Sequence, residues 1–261
     1  MEENFDHIRG KKLSELMVPG THDAASYYEG YKDTGLIQSK IDNYAICQDE
    51  RVFNQLMYGI RYVDLRVMYG PEKQNGEMHD FWIAHDIFRM NNTLVTVLAD
   101  IQKFMEATKK EVVFVDFHRF PKGFDDKKEE KHEKILQLIE KYLKPYLSES
   151  SYYNVNFGEL VSSGKRVVLG YAENNINRPS YLYPAVRQLW GDTDSKDKLY
   201  EYFAPRVCNR QSSYIAEAAM AELTPQKAGV VFNKYGGLRQ LAEDVNFDVT
   251  KWFREEWKCA N

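Results

Sequence analysis

Four stretches of this chain place a histidine or an arginine beside a carboxylate at the end of an apolar run: His22-Asp23, Asp64-Leu65-Arg66, His85-Asp86 and Asp116-Phe117-His118-Arg119. In a parallel β/α protein, the C-terminal mouths of the strands are where chemistry is done. Alternate residues of a strand share a face, so Asp64 and Arg66 project together, as do Asp116 and His118. An Asp and an Arg turned inward on an apolar strand are costly as structure alone, and a buried ion pair is the plain alternative to a functional role. Two histidines with nearby carboxylates suit a general base and a general acid. An arginine between them suits a phosphate, because its planar fork can hold two oxygens and offset developing charge. Together these groups would cleave a phosphodiester without a metal. A metal centre needs several clustered oxygen or nitrogen ligands, and Arg66 beside Asp64 already supplies the positive charge. His7, His79 and His132 lie outside these strand ends and read as surface or packing histidines.

The elements that must position these residues follow from apolar periodicity. β-Branched and apolar runs predict strands over 16–18, 61–67, 81–84, 112–117 and 167–171. The first stops at Pro19-Gly20. Helical spacing predicts helices over 51–58, ended by Gly59, over 93–109 with basic residues at its end, and over 126–143 before Pro145. The mixed-sign run Lys127-Lys128-Glu129-Glu130-Lys131 reads as a solvated helix face. In the second half, residues 179–190 read as an aromatic loop and helices are expected over 196–203, 213–221, 238–244 and 249–257. Val230-Val231-Phe232 is open to a strand reading. Without a repeat or linker, residues 1–261 are expected to form a single domain. Alternating strands and helices imply a parallel sheet, and the lack of a GxGxxG or P-loop motif favours a closed barrel over a Rossmann sheet.

Composition sets wide bounds. A chain of 261 residues can make one (β/α)8 barrel or two small domains. The net charge of −4 argues against nucleic acid as a partner. The 18 Tyr and 14 Phe suit a core, and tyrosine also suits a lipid or protein interface. Cys47, Cys208 and Cys259 are far apart with no zinc-like spacing; one disulfide is open to them, and none is the simpler expectation. The N-terminal residues are charged, with no leader pattern, and no run of about 20 apolar residues marks a membrane span. Asn91-Asn92-Thr93 matches a glycosylation sequon and equally a helix N-cap. The expectation is a soluble, cytoplasmic chain, with secretion left open.

Four motifs in series now carry a resemblance. Pro19-Gly20-Thr21-His22-Asp23, the run from Gln55 to Val67 containing Asp64-Leu65-Arg66, Ala84-His85-Asp86-Ile87-Phe88, and the run from Glu111 to Phe120 containing Asp116-Phe117-His118-Arg119 together resemble the X domain of phosphatidylinositol-specific phospholipase C, and among its members the small animal X-domain-containing proteins. The resemblance covers nearly the whole chain in the right order. It implies a distorted TIM-type (β/α)8 barrel, with or without its last strand. It also implies phosphodiester cleavage of phosphatidylinositol to diacylglycerol and inositol (cyclic) phosphate, peripheral to a membrane surface. On this footing His22 deprotonates the inositol 2-hydroxyl, His85 protonates the leaving oxygen and Arg66 stabilises the transition state. Asp64 would orient Arg66 or share its charge, and Asp23 would orient His85. No cofactor is expected: the second strand reads Asp64-Leu65-Arg66, similar to the metal-independent bacterial pattern and unlike the Glu-x-Asp pair of the calcium-dependent members. That pair's absence also disfavours a glycerophosphodiesterase-like barrel.

His118, Arg119 and Tyr171 sit at predicted strand ends and could bind inositol hydroxyls or phosphate, or brace the barrel rim. Tyr181, Tyr183 and Trp190 could form an aromatic rim near lipid or pack over the barrel. The chain departs from the family's pattern twice. Asp86 stands where many relatives have glycine, and the sequence stops at Trp257-Lys258-Cys259-Ala260-Asn261, where the relatives' last strand would begin. In the relatives that strand carries an aspartate supporting the first histidine. The sequence is then either a truncated piece, or another group such as Asn233 takes that role. The alternative function is a non-catalytic lipid- or phosphoinositide-binding relative of the same fold.

Overall fold

The computed structural model describes residues 1–28, 43–209 and 216–260. They fall into two compact units, Met1–Tyr31 with Gln48–Ala185 and Lys32–Cys47 with Val186–Asn261.

The first unit is mixed α/β around a central sheet. Its elements are a short helix α1 (Phe5–Ile8), β1 (Gly20–Thr21), α2 (Val52–Met57), β2 (Tyr62–Gln74), β3 (Glu77–His85), β4 (Phe88–Thr93), α3 (Leu94–Ala107), β5 (Val113–Arg119), α4 (Lys128–Leu143), α5 (Phe157–Ser162), β6 (Val167–Tyr171) and β7 (Leu182–Pro184). The strands β1, β2, β5, β6 and β7 pair in parallel, with β1 and β5 on opposite sides of the first half of β2. Val63, Leu65, Val67, Val113, Val115, Phe117, Val167 and Leu169 are closed from solvent, and the apolar faces of α3 and α4 supply Leu94, Leu98, Ile101, Ile135 and Ile139. Each such side chain contributes roughly 1.5–3 kcal/mol of burial, which holds the sheet against its helices. At the strand starts, buried Arg61 donates from Nε to Glu111 Oε2 at 2.6 Å, a structural ion pair.

Several expectations change. No strand forms over 16–18; a 3-10 turn, Leu13–Glu15, precedes it and the pairing is confined to Gly20–Thr21. The strand expected over 81–84 runs antiparallel to β2, with Val67 opposite Ile83, and continues through a hairpin into β4. The cause is the turn Asn75-Gly76, whose left-handed φ values of 51° and 89° form the two-residue connection that this dipeptide favours. Thr93 caps α3, its hydroxyl accepting from the Thr96 amide at 3.1 Å, as the capping alternative at the sequon anticipates.

The second unit contains β8 (Arg187–Trp190), α6 (Lys196–Val207), β9 (Glu217–Met220), α7 (Lys227–Val231) and α8 (Leu238–Lys251). The aromatic loop expected over 179–190 holds the short strands β7 and β8. Where a helix is expected over 213–221, residues 213–215 lie outside the described residues and Glu217–Met220 pairs in parallel with β8. Val230 and Val231 are helical. The helices expected over 238–244 and 249–257 merge into α8 and a π-helical turn, Trp252–Glu256. Leu199, Phe203, Leu223, Leu241, Val245, Trp252 and Trp257 make its core. Cys208 and Cys259 are joined in a disulfide with Cα atoms 5.4 Å apart, where the simpler expectation was none.

Candidate active site

The ends of β1 and β3 converge on the first half of β2. Asp64 and Arg66 share one face of β2, as strand alternation requires, while the apolar Val63, Leu65 and Val67 occupy the other. The segment after β1 is held by buried polar side chains. Gln55 of α2 accepts from the Thr21 hydroxyl at 2.7 Å and donates to the Ala24 carbonyl at 2.7 Å, and Gln48 donates to the His22 carbonyl at 2.8 Å. Sequence reasoning passed over both glutamines. The signal for Gln55 is a polar residue on the inward stripe of a short amphipathic helix, between Val52 and Leu56.

His22 lies 2.7 Å from Asp64 Oδ2 through Nδ1, while its Nε2 is 2.9 Å from Arg66 Nη2 and 3.2 Å from Asp23 Oδ2. A guanidinium can only donate, so its contact places the lone pair of neutral His22 on Nε2 and the proton on Nδ1, facing Asp64. Once Nε2 is protonated, Asp23 is the acceptor within reach. The imidazole therefore has a partner in either protonation state. Asp23 Oδ1 forms an ion pair with Arg66 Nε at 2.8 Å, and Asp23 Oδ2 is 3.5 Å from His85 Nε2. The carboxylates of Asp23 and Asp64 are closed from solvent, whereas the side chains of His22 and His85 keep 24% and 14% exposure, so the imidazoles, and not these two carboxylates, present themselves to a ligand.

Burial opposes charge on both carboxylates, with different results. Desolvation pushes Asp23 up to about 6 despite the lowering by His22 and Arg66. Burial acts on Asp64 too, but the hydrogen bond and charge of His22, with Arg66 behind them, hold it below the usual carboxylate range. Asp64 is thus the ionised anchor, and Asp23 the carboxyl that titrates nearer neutrality.

A second cluster adjoins the first. Asp116 Oδ2 is 3.0 Å from His118 Nδ1 and accepts from the Tyr62 hydroxyl at 3.2 Å. A bulge shifts the β2–β5 register here, Leu65 facing Phe117 but Arg66 facing Arg119, so His118 is the extra residue and is turned toward Asp116. Gly170 of β6 makes room, since a Cβ there would meet Asp116 Oδ1 at 2.5 Å. Exposed Arg119 lies beyond His118, in a recess of about 360 Å³ with Phe120, Lys122, Lys128 and Glu173.

Asp64 sits on His22 and also shares the charge of Arg66, whose Nε faces Asp23. One expectation needs correction. Tyr171 is fully buried with its hydroxyl 2.7 Å from His132 Nδ1, so it presents no surface to a ligand; burial pushes that hydroxyl's pKa up and holds His132 down at about 4, a neutral packing histidine. Among the described residues, the side chains of His22, Asp23 and Asp64, and of Asp64, Asp116 and His118, are close enough to share a cation. Arg66 supplies a fixed positive charge to the first of these groups.

No protein-family model matches the chain. It is 24% identical over 272 residues to PI-PLC X domain-containing protein 3 of Danio rerio, covering 96% of this chain and 82% of that protein. It is likewise 24% identical over 259 residues to PI-PLC X domain-containing protein 2 of Homo sapiens, covering 92% of this chain and 82% of the other. Among solved structures it is similar to the phosphatidylinositol-specific phospholipase C from Listeria monocytogenes, with a TM-score of 0.64 at 19% identity over 94% of this chain and 84% of that one. A Staphylococcus aureus phosphatidylinositol-specific phospholipase C mutant gives 0.65 at 16% identity over 93% and 83%. The chain is thus similar to the PI-PLC X domain-containing proteins over nearly its whole length and has the distorted TIM-type barrel fold of the bacterial phospholipases C.

Proposed function

We propose that this chain is a phosphatidylinositol phospholipase C that cleaves the lipid to diacylglycerol and inositol (cyclic) phosphate by metal-independent general acid–base catalysis. The observation that carries the reading is His22, held through Nδ1 by the buried Asp64 and offering Nε2 beside the Arg66 guanidinium. In the reaction His22 Nε2 takes the proton of the inositol 2-hydroxyl as its oxygen attacks phosphorus. Arg66 donates to the phosphoryl oxygens as negative charge builds on them. His85, with Asp23 behind it, gives a proton to the diacylglycerol oxygen as the bond from phosphorus to that oxygen breaks. The His22–Asp64 contact supports the base from within the second strand, and this favours catalysis over a purely lipid-binding role. His118, held by Asp116, and the exposed Arg119 beyond it would meet the inositol hydroxyls.

The chain works at a membrane surface without crossing it. Among the described residues no helix is long and apolar enough to span a bilayer, and Ile87, 79% exposed in the turn after His85, offers an apolar contact where the acyl-bearing leaving group must lie. The deciding experiment is turnover of phosphatidylinositol in detergent micelles containing EDTA, comparing wild type with His22→Ala and His85→Ala. Each substitution is expected to lower the rate by roughly 10²–10⁴-fold. Activity that survives both substitutions overturns the two-histidine mechanism, and activity restored only by calcium overturns its metal independence. Lipid binding without turnover in wild type makes the chain a binding relative.

A further inference from the structure

The residue after the second histidine is unusual in its backbone, its exposure and its partner. Asp86 opens the two-residue turn between β3 and β4, closed by the pairing of His85 with Phe88. Its φ of 49° lies in the left-handed region, which glycine adopts without steric cost and an L-residue does not. Its carboxylate is 63% exposed, yet Oδ1 stands 3.5 Å from Nη1 of Arg66, whose own side chain is 8% exposed. Of the two carboxylates on this guanidinium, Asp23 holds Nε from the interior and Asp86 meets Nη1 from the solvent side. A phosphodiester that takes Nη1 of Arg66 must compete with Asp86 for that donor.

Charge sharpens the point. Asp23, Asp64 and Asp116 already face this site from the strands packed around it, beside the permanent cation Arg66. A fourth carboxylate at the entrance opposes an anionic ligand, unless it is the group that the ligand replaces. Exposed ion pairs contribute little to stability, so Asp86 can leave Arg66 easily, whereas the buried Asp23 cannot.

We propose that Asp86 is a displaceable counter-ion that occupies Arg66 until the phosphate of an anionic inositol phospholipid takes its place, and so sets how readily such lipids enter. This deepens the proposed function and rests on Arg66 being the phosphate-binding group. Asp86 touches no reacting atom; it acts through Arg66 as a positioning residue that tunes specificity.

The test separates the two ideas. Inorganic phosphate is titrated into wild type, Asp86→Asn and Arg66→Met at low ionic strength, and the Kd is read by NMR of the backbone amides around position 66. Asp86→Asn is expected to bind phosphate about 2- to 5-fold more tightly, the gain shrinking in high salt, and Arg66→Met is expected to abolish the response. In turnover of phosphatidylinositol, Asp86→Asn should lower KM by a similar factor while kcat holds. Phosphate affinity that is unchanged or weaker in Asp86→Asn overturns the proposal, as does a response that survives Arg66→Met. A wild type that binds phosphate in this way but never turns over lipid defeats the enzymatic reading and leaves the counter-ion role standing.

Discussion

The carboxylate of Asp64 stands 2.7 Å from Nδ1 of His22, inside the second strand and closed from solvent. In Asp64→Asn the amide can donate to Nδ1 and turn the proton to Nε2, which disables the base while keeping the side chain's shape. The expected result is a kcat at least about 10²-fold lower with KM little changed and thermal stability near wild type, because only the tautomer is altered. Turnover measured beside nitrogen NMR of the imidazole checks both parts. A kcat within threefold of wild type would show that Asp64 is an ordinary buried carboxylate.

His85 and His22 are assigned to opposite ends of the reaction, and substrate chemistry can tell them apart. An inositol phosphodiester with an aryl leaving group of low pKa departs without a proton, so the general acid becomes dispensable while the base does not. With that substrate His85→Ala should recover most of its lost rate and His22→Ala should not. Equal recovery in both variants, or in neither, would undo the assignment.

Asp23 gives a pH dependence with two signs. Its folded pKa is raised from 3.8 to about 6, so the ionised form that holds Arg66 and faces His85 is lost as pH falls through about 6, and kcat/KM should fall with it. Its effect on stability runs the other way. The native state binds this proton more tightly than the unfolded chain, so the contribution is greatest below about 4 and is lost as pH rises through about 6. Asp23→Asn should therefore abolish this acid limb and slow the enzyme, yet unfold at a higher temperature than wild type at pH 7. A variant that is both slower and less stable at pH 7 would show that the pairing with Arg66 outweighs the desolvation of Asp23.

These residues were legible in the sequence to different depths. Asp64 and Arg66 could be placed on one face of β2 because strand alternation is a local rule, and His22 and His85 stood out as histidine–carboxylate pairs at apolar run ends. Which carboxylate serves which base was not legible, because Asp23 stands within reach of His22, Arg66 and His85 at once and only three-dimensional register decides. The antiparallel course of β3 was signalled by Asn75-Gly76, but the helix–strand alternation around it argued more loudly for a parallel strand. Tyr171 shows the opposite failure. As the last residue of an apolar strand it looked available at the rim, yet His132 on α4, 39 residues away in sequence, captures its hydroxyl in the interior. In the second unit, Glu217–Met220 is a strand despite its helix-favouring alanines, since pairing with β8 overrides weak intrinsic preference.

The disulfide gives the last prediction. Cys208 follows α6, Cys259 lies in the last 3-10 turn, Lys258–Ala260, and the bond closes 51 residues around a core that includes Phe203, Trp252 and Trp257. Closing a loop of that length restricts the unfolded chain by about 4 kcal/mol in the chain-entropy view. Cys208→Ser or Cys259→Ser should therefore lower the melting temperature of this unit by several degrees, and dithiothreitol should do the same to wild type without affecting either variant. Cys47→Ser should leave that difference intact, since Cys47 is outside the bond. A reducing cytosol would withhold this link, so the intact bond in protein isolated without added oxidant would argue against the cytoplasmic expectation. Identical melting of wild type with and without reductant would show that the second unit is held by its aromatic core alone.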